Sequence, residues 1–222
     1  MHTSDIFQFL QVNNEKIDSV SEYNYLGLII DEKLNWSSHV TKVANKIAPY
    51  IGILKRLRHY IDIKTLMLIY YSYVDSHLIY VLPVWGSAPK TYMNTLKVLQ
   101  NKSLKTINFK STLTPTKDLY SPALLSFSQK TMYESIFYIY KIKNSLIKCN
   151  YDLITNVVIS TRTTRTAGNL RLPCFKKALA QNSIYYKGLE MYNKIPSHIK
   201  ETKEVAKFKL ELKQYIFKHY AN

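Results

Sequence analysis

Acidic side chains are scarce in this chain. Its 222 residues carry 15 Asp and Glu against 31 Lys and Arg, a formal net charge of +16. A balance this lopsided argues against cationic partners and favours polyanions, whose local concentration a positive field raises. Cysteine is also sparse: Cys149 and Cys174 stand apart, with neither a metal-ligand spacing nor a disulfide framework. Only five Gly and seven Pro are present, so long stretches can stay regular. No uninterrupted apolar run spans a bilayer. The best candidate, residues 66–84, has Ser72, Asp75, Ser76 and His77 at its centre, and a charge there is expensive in lipid. That stretch reads as a buried or half-buried helix. The first residues, MHTSDIFQFLQ, lack a basic segment followed by an apolar run. The expected setting is intracellular, cytoplasmic or nuclear, and not secretory.

What is present is enough to build a core. Apolar residues make up 46% of the chain, and tyrosine is abundant at nineteen copies. The charge is unevenly placed. Residues 1–35 hold two basic and six acidic side chains, net −4; residues 36–158 hold sixteen and five, net +11; residues 159–222 hold thirteen and four, net +9. Lys outnumbers Arg by 26 to 5, which suits diffuse phosphate contact better than bidentate reading of bases. The same lysines also fit a solvated surface, but the size of the excess puts nucleic acid first.

Alternation over residues 6–12 and 17–20, around Asn13-Asn14-Glu15-Lys16, predicts a hairpin. The run Tyr25 to Ile30 predicts another strand. Ser37 is placed to cap a helix whose inner face is Val40, Val43, Ile47, Ile51 and Leu54, with Pro49 expected to kink or split it. Asp62 should cap the next helix, with Leu66, Ile69, Tyr70, Tyr73 and Tyr80 inward and Pro83 as its stop. A third helix is expected over 90–107, with Met93, Leu96, Leu99 or Gln100, Leu104 and Ile107 inward and Lys97, Lys102 and Lys105 outward. The segment 111–122, with two prolines, marks a boundary. Helices are then expected over 127–148, 182–193 and 203–219, with a polar loop over 155–169 that carries Arg162 and Arg165. The last helix presents Val205, Phe208, Leu212, Tyr215 and Ile216 on one side.

The stretch YNYLGLIIDEKLNWSSHV resembles a segment of jockey-like LINE (non-LTR retrotransposon) reverse transcriptases, through Tyr25, Leu26, Gly27, Asp31, Leu34, Trp36 and His39. HLIYVLPVWG at 77–86 and LKVLQNKSLKTI at 96–107 resemble later segments of that family. TRTAGNLRLP, SIYYKGLEMYNKIP and the spacing of the final helix resemble its closing region. The ordered set spans most of the chain.

The resemblance implies a division into residues 1–35 as the end of a palm with a primer-grip-like hairpin, 36–110 as a thumb-like helical bundle, and 111–222 as a helical C-terminal extension. The fold expected is mostly α with a small N-terminal antiparallel hairpin or sheet, formally α+β. It implies contact with an RNA or DNA template–primer through phosphates, by Tyr25, Leu26, Gly27, Lys42, Lys46, Lys55, Arg56, Arg58, Arg162 and Arg165, and association with palm and fingers. The family enzyme uses two Mg ions held by three acidic residues, including an adjacent Asp pair that precedes the Y-L-G segment. Here no two aspartates are adjacent, and only Asp5, Glu15, Asp18 and Glu22 precede Tyr25. The expectation is therefore a polymerase fragment that is inactive by itself, with no catalytic residue, no metal or other cofactor and no small-molecule substrate. The alternative is a non-enzymatic nucleic-acid-binding or protein-interaction domain derived from such an element. Tyr73-Val74-Asp75-Ser76 imitates the catalytic turn but sits in a helical pattern, and reads as helix. Trp36 reads as a packing anchor between hairpin and helix, His39 as a first-turn residue without chemistry, Trp85-Gly86 as a helix corner, and Arg162, Arg165 and Arg171 as either phosphate-binding or solubilising.

Overall fold

Leu26 and Gly27 both adopt positive φ, 47° and 88°. Two consecutive residues in that region make the tight turn whose twist suits a hairpin, and glycine enters it without the cost of a Cβ. The chain therefore reverses in the middle of the run expected as one strand. β3 (Glu22–Tyr25) pairs antiparallel with β4 (Leu28–Asp31), with Tyr25 opposite Leu28 and Glu22 opposite Asp31. Ahead of it, β1 (Leu10–Val12) and β2 (Glu15–Ile17) form a separate hairpin, with β2 beginning inside the presumed turn; residues 6–9 of the first expected strand lie outside the described residues. The computed structural model describes residues 10–13, 15–149, 153 and 169–220.

The entry into the first helix is set from a distance. Asp31 accepts backbone N–H bonds from Lys33 (3.1 Å), Asn35 (3.1 Å) and Trp36 (2.8 Å). Burial raises its pKa, but these bonds outweigh burial and hold the carboxyl below its usual range. Trp36, not Ser37, is the capping position of α1 (Ser37–Leu57), at φ 64°, and it packs where the hairpin meets the helix. The inner face of α1 is the one expected, with His39 added. Pro49 does not split it: the helix runs through from Ser37 to Leu57. Pro49 and Asn45 are exposed, so the carbonyl that loses its amide partner can be hydrated.

Asp62 caps α2 (Ile63–Tyr70), accepting from the amides of Lys64 and Thr65. A π-helical turn, Tyr71–Asp75, then leads into α3 (Ser76–Ile79). The wide turn resets the buried side to a spacing of four. Leu66, Tyr70, Val74, Leu78 and Leu82 are all fully buried. Tyr73 and Tyr80, expected inward, are 47% and 49% exposed for that reason. The helix stops before Pro83, at Tyr80 and the positive-φ Val81, and Pro83 lies in the first turn of α4 (Leu82–Trp85). Trp85 is buried and donates from Nε1 to the Tyr80 carbonyl at 2.8 Å. A Cβ on Gly86 would lie 2.6 Å from the Leu82 carbonyl oxygen and 2.8 Å from Thr131 Cγ2, so this corner closes only on glycine.

α5 (Lys90–Ile107) has the expected bounds and buries Leu96, Gln100, Ser103, Leu104 and Ile107. The 111–122 segment is irregular apart from a short 3-10 turn at Lys117–Leu119. A capping box at Ser126 and Gln129 starts α6 (Phe127–Lys143), which ends five residues earlier than expected, with Ser145 at φ 55° just beyond. After it come α7 (Ala178–Gln181), α8 (Ile184–Lys194), α9 (Ser197–Glu201) and α10 (Val205–His219). α10 buries Phe208, Leu212 and Ile216. Of the loop expected over 155–169, only Asn169 lies among the described residues. The fold is mostly helical with small N-terminal antiparallel pairs, as expected.

Two apolar cores result. One gathers β4, α1 to α5 and Phe127; the other gathers the rest of α6 with α8, α9 and α10. A buried polar network spans the seam. Asp75 pairs with Lys130 and accepts from the Tyr70 hydroxyl at 3.2 Å. Gln100 donates to the Tyr70 hydroxyl (3.0 Å) and the Leu125 carbonyl (3.2 Å), and accepts from the Phe127 amide (2.6 Å). The imitation of a catalytic turn thus contains a structural carboxylate. Removing one member of such a pair strands a charge in low dielectric. Asp75→Leu should cost about 3 kcal/mol in urea unfolding, and Asp75→Leu with Lys130→Met should recover most of that loss.

Candidate nucleic-acid interface

The residues nominated from sequence fall into separate groups. At the hairpin, Tyr25 and Leu26 are 54% and 73% exposed. The Tyr80 hydroxyl donates to the Leu26 carbonyl at 2.7 Å, and its ring lies 3.6 Å from where a Gly27 Cβ would be. Lys42 donates to the Gly27 carbonyl at 3.0 Å and to Asn24 Oδ1 at 3.3 Å. This lysine holds the turn against α1. Lys46, His39, His77 and Tyr80 join it around a pocket of about 280 Å³ beside Gly27.

His39 is the unexpected member. It is only 2% exposed, its Nδ1 accepts the Ile29 amide at 3.4 Å, and its ring meets Trp85 edge-on at 5.2 Å. Its Nε2 is buried without a hydrogen-bond partner. Burial first, then Lys42 and Lys46, push its pKa down to about 4. His77 is shifted downward too, by burial and by Lys46. The pocket therefore carries two ammonium groups and two imidazoles that resist protonation.

Lys55 and Arg58 lie elsewhere. Nine residues separate Lys46 from Lys55, about two and a half helical turns, which puts them on opposite flanks of α1. There Lys55 and Arg58 face α5 across a groove of about 450 Å³, with Lys102, Lys105 and Lys110 completing its cationic lining. Asn101, Thr106, Thr112 and Thr116 supply polar groups, and no carboxylate lines it. Arg56 is exposed but lines neither the pocket nor the groove. Arg162 and Arg165 lie outside the described residues.

The sequence reading left Lys90, Lys97, Lys102, Lys105 and Lys110 out of the nominated set. Lys90, Asn94, Lys97, Asn101 and Lys105 follow i, i+4, i+7, i+11, i+15 on α5, the spacing of one helical side, alongside its buried face. That spacing is readable in the sequence. What it lacked was the knowledge that α1 lies alongside α5, which turns the end of a stripe into a groove. Among the described residues only two ion pairs form, Lys130–Asp75 and Lys194–Glu190, so the groove's cations have no carboxylate partner. No group of three metal-ligating side chains gathers among the described residues, and no helix there is long and apolar enough to cross a membrane.

A histidine that stays neutral when folded binds fewer protons than the unfolded chain does between pH 6.5 and about 4. Its contribution is fully present above pH 6.5 and is lost as pH falls through that window. Urea unfolding of the wild type and of His39→Leu, followed from pH 7 to pH 4, should show about 2 kcal/mol less acid-induced loss in the variant. Equal pH dependence in the two would remove His39 as the cause.

Two known proteins are similar to part of this chain. Over 111 residues it is 29% identical to an RNA-directed DNA polymerase from mobile element jockey of Drosophila funebris, covering 49% of this chain and 12% of that protein. Over 113 residues it is 28% identical to the jockey polymerase of Drosophila melanogaster, covering 50% of this chain and 12% of that protein. The chain thus matches a small part of the length of these relatives. No protein-family model and no solved structure matches it. The resemblance carried by the ordered motifs is supported over half of the chain, as similarity to part of a mobile-element reverse transcriptase.

Proposed function

We propose that this chain is the thumb-and-extension part of a LINE-type reverse transcriptase, and that it holds an RNA or DNA template–primer duplex by its backbone phosphates. The observation that carries this reading is the α1–α5 groove, where Lys55, Arg58, Lys102, Lys105 and Lys110 converge with no carboxylate among the lining residues. Bound phosphates relieve the mutual repulsion of those cations and release condensed counterions. Four of the five are lysines, whose compact charges accept a phosphate in many geometries. A polymerase that must accept every sequence needs contact of that kind, since phosphate contacts fix position and carry no sequence information.

On this reading the Leu26–Gly27 turn is the end of a palm, braced by Lys42 and Tyr80 so that backbone can approach backbone. The chain positions the duplex. The two metal ions of nucleotidyl transfer, and the acidic residues that hold them, belong to a palm and fingers with which it would associate.

The test is a binding titration with a blunt duplex over a range of salt. The logarithm of the affinity should fall linearly with the logarithm of salt, with a slope of about −4 if each groove cation meets one phosphate. The double variant Lys102→Glu, Lys105→Glu should bind about tenfold or more weakly and show a slope flatter by about two. No binding of the wild type at low salt, or an unchanged affinity in the double variant, would overturn the proposal.

A further inference from the structure

The opposite end of α5 carries a second cleft that neither the hairpin nor the groove accounts for. It has a volume of about 650 Å³ and lies where the loop before α1, the α4–α5 corner and the α7–α8 turn meet. Its character is mixed. Lys33, Lys90 and Lys187 stand along it, and no carboxylate lines it. None of the three pairs with an acidic side chain among the described residues. Between them lie apolar side chains left open to solvent: Leu34, Val84 and Leu179 are 38%, 42% and 53% exposed. The backbone that presents the first of these is strained, with Leu34 at φ 50° and Trp36 at φ 64°. Leucine and tryptophan rarely hold that conformation, and here the Asp31 carboxylate fixes it through the amides on either side.

Apolar contact area flanked by unpaired ammonium groups fits a ligand that joins a flat, weakly polar face to an anion. A nucleotide has that composition, but only when its base is out of the duplex stack. Position supports the same occupant. Lys90, at this cleft, begins the α5 stripe that ends at Lys105 in the α1–α5 groove, about 22 Å away along the helix axis. Lys97, with Asn94 and Asn101, marks the way between them. A strand leaving the groove has charged and amide side chains along that whole distance.

We propose that this cleft takes an unpaired nucleotide of the same nucleic acid whose duplex lies in the α1–α5 groove. The base rests on Leu34, Val84 and Leu179, and its phosphates meet Lys33, Lys90 and Lys187. The inference rests on the function proposed above and adds a second subsite to it: the chain distinguishes a duplex with a single-stranded extension from a blunt one.

The experiment measures the affinity of the full chain for a blunt duplex and for the same duplex with a short single-stranded overhang. It is repeated with Leu179→Asp and with Lys90→Glu, both at exposed positions. The overhang should raise wild-type affinity about tenfold. Both variants should lose that gain and keep the blunt-duplex affinity within about twofold, which also shows that they are folded. A blunt duplex that binds while the overhang adds nothing would overturn the second subsite and leave the groove standing. A gain that survives both variants would place the unpaired strand elsewhere and overturn it too. Displacement from the cleft by an acidic amphipathic peptide, with no competition from a single-stranded oligonucleotide, would assign the cleft to a protein partner. Failure of every duplex to bind would instead sink the groove reading on which this one rests.

Discussion

A carboxylate and an ammonium taken out of water together fix where α5 points. Asp75 and Lys130 face each other across the seam between the two cores, and neither is stable there alone. Burial lowers the lysine's pKa, and Asp75 opposes that shift. Gln100 extends the constraint. It is fully buried on α5 and satisfied by Tyr70, Leu125, Tyr120 and the Phe127 amide. One glutamine side chain thus ties α5 to α2, to the connection at Tyr120 and Leu125, and to the start of α6. Rotating α5 by even one position would break these bonds, and the same rotation would carry the lysine stripe out of line with both clefts. The polar seam therefore sets the orientation of the charged surface.

The π-helical turn belongs to the same arrangement. An ordinary α-helix through 71–75 would not keep Leu66, Tyr70, Val74 and Leu78 on one line, because a strict spacing of four drifts around a 3.6-residue helix. The widened turn absorbs that drift. It also brings the Asp75 carboxylate within reach of Tyr70 and Lys130. Tyr73 and Tyr80 are displaced outward as a consequence. Tyr80 then uses its exposure, reaching back to the Leu26 carbonyl and bracing the hairpin 54 residues earlier.

What could be read in the sequence follows from range. Patterns closed within a few turns were readable: the bounds of α5, the cap at Asp62, and the inner faces of α1 and α10. Features that depend on a partner far along the chain were not. The apolar run alone reads Tyr25 to Ile30 as one strand, and the hairpin at Gly27 is expected only through the Y-L-G resemblance; Leu26 is a poor choice for a positive φ, tolerated where Lys42 and Tyr80 hold the turn. The start of α1 is set by Asp31 and not by the serine that looks like a cap. The candidate site divides the same way. Lys42, Lys46 and Lys55 lie on α1 with Arg58 just beyond its end, and helical spacing alone does not say what each flank faces. Only the contact of α1 with β4 on one flank and with α5 on the other does so.

That separation changes what the charge means. A formal net charge of +16 could be a uniform coat, in which case the lysines would be interchangeable. They are not. Lys42 commits two of its three donors to the hairpin, at Asn24 and Gly27. Lys130 is locked in the seam. Lys55, Lys102 and Lys110 line a concave surface without acidic neighbours, where low-dielectric walls strengthen a field that bulk water would screen. Like charges gathered there raise the free energy of the empty fold, since each repels the next. A polyanion relieves that repulsion along its length at a regular spacing, and a small anion relieves it at one point. On the proposed function, the shape of the charged surface, a groove continued by a stripe down α5, would favour an extended ligand more firmly than the sum of its charges does.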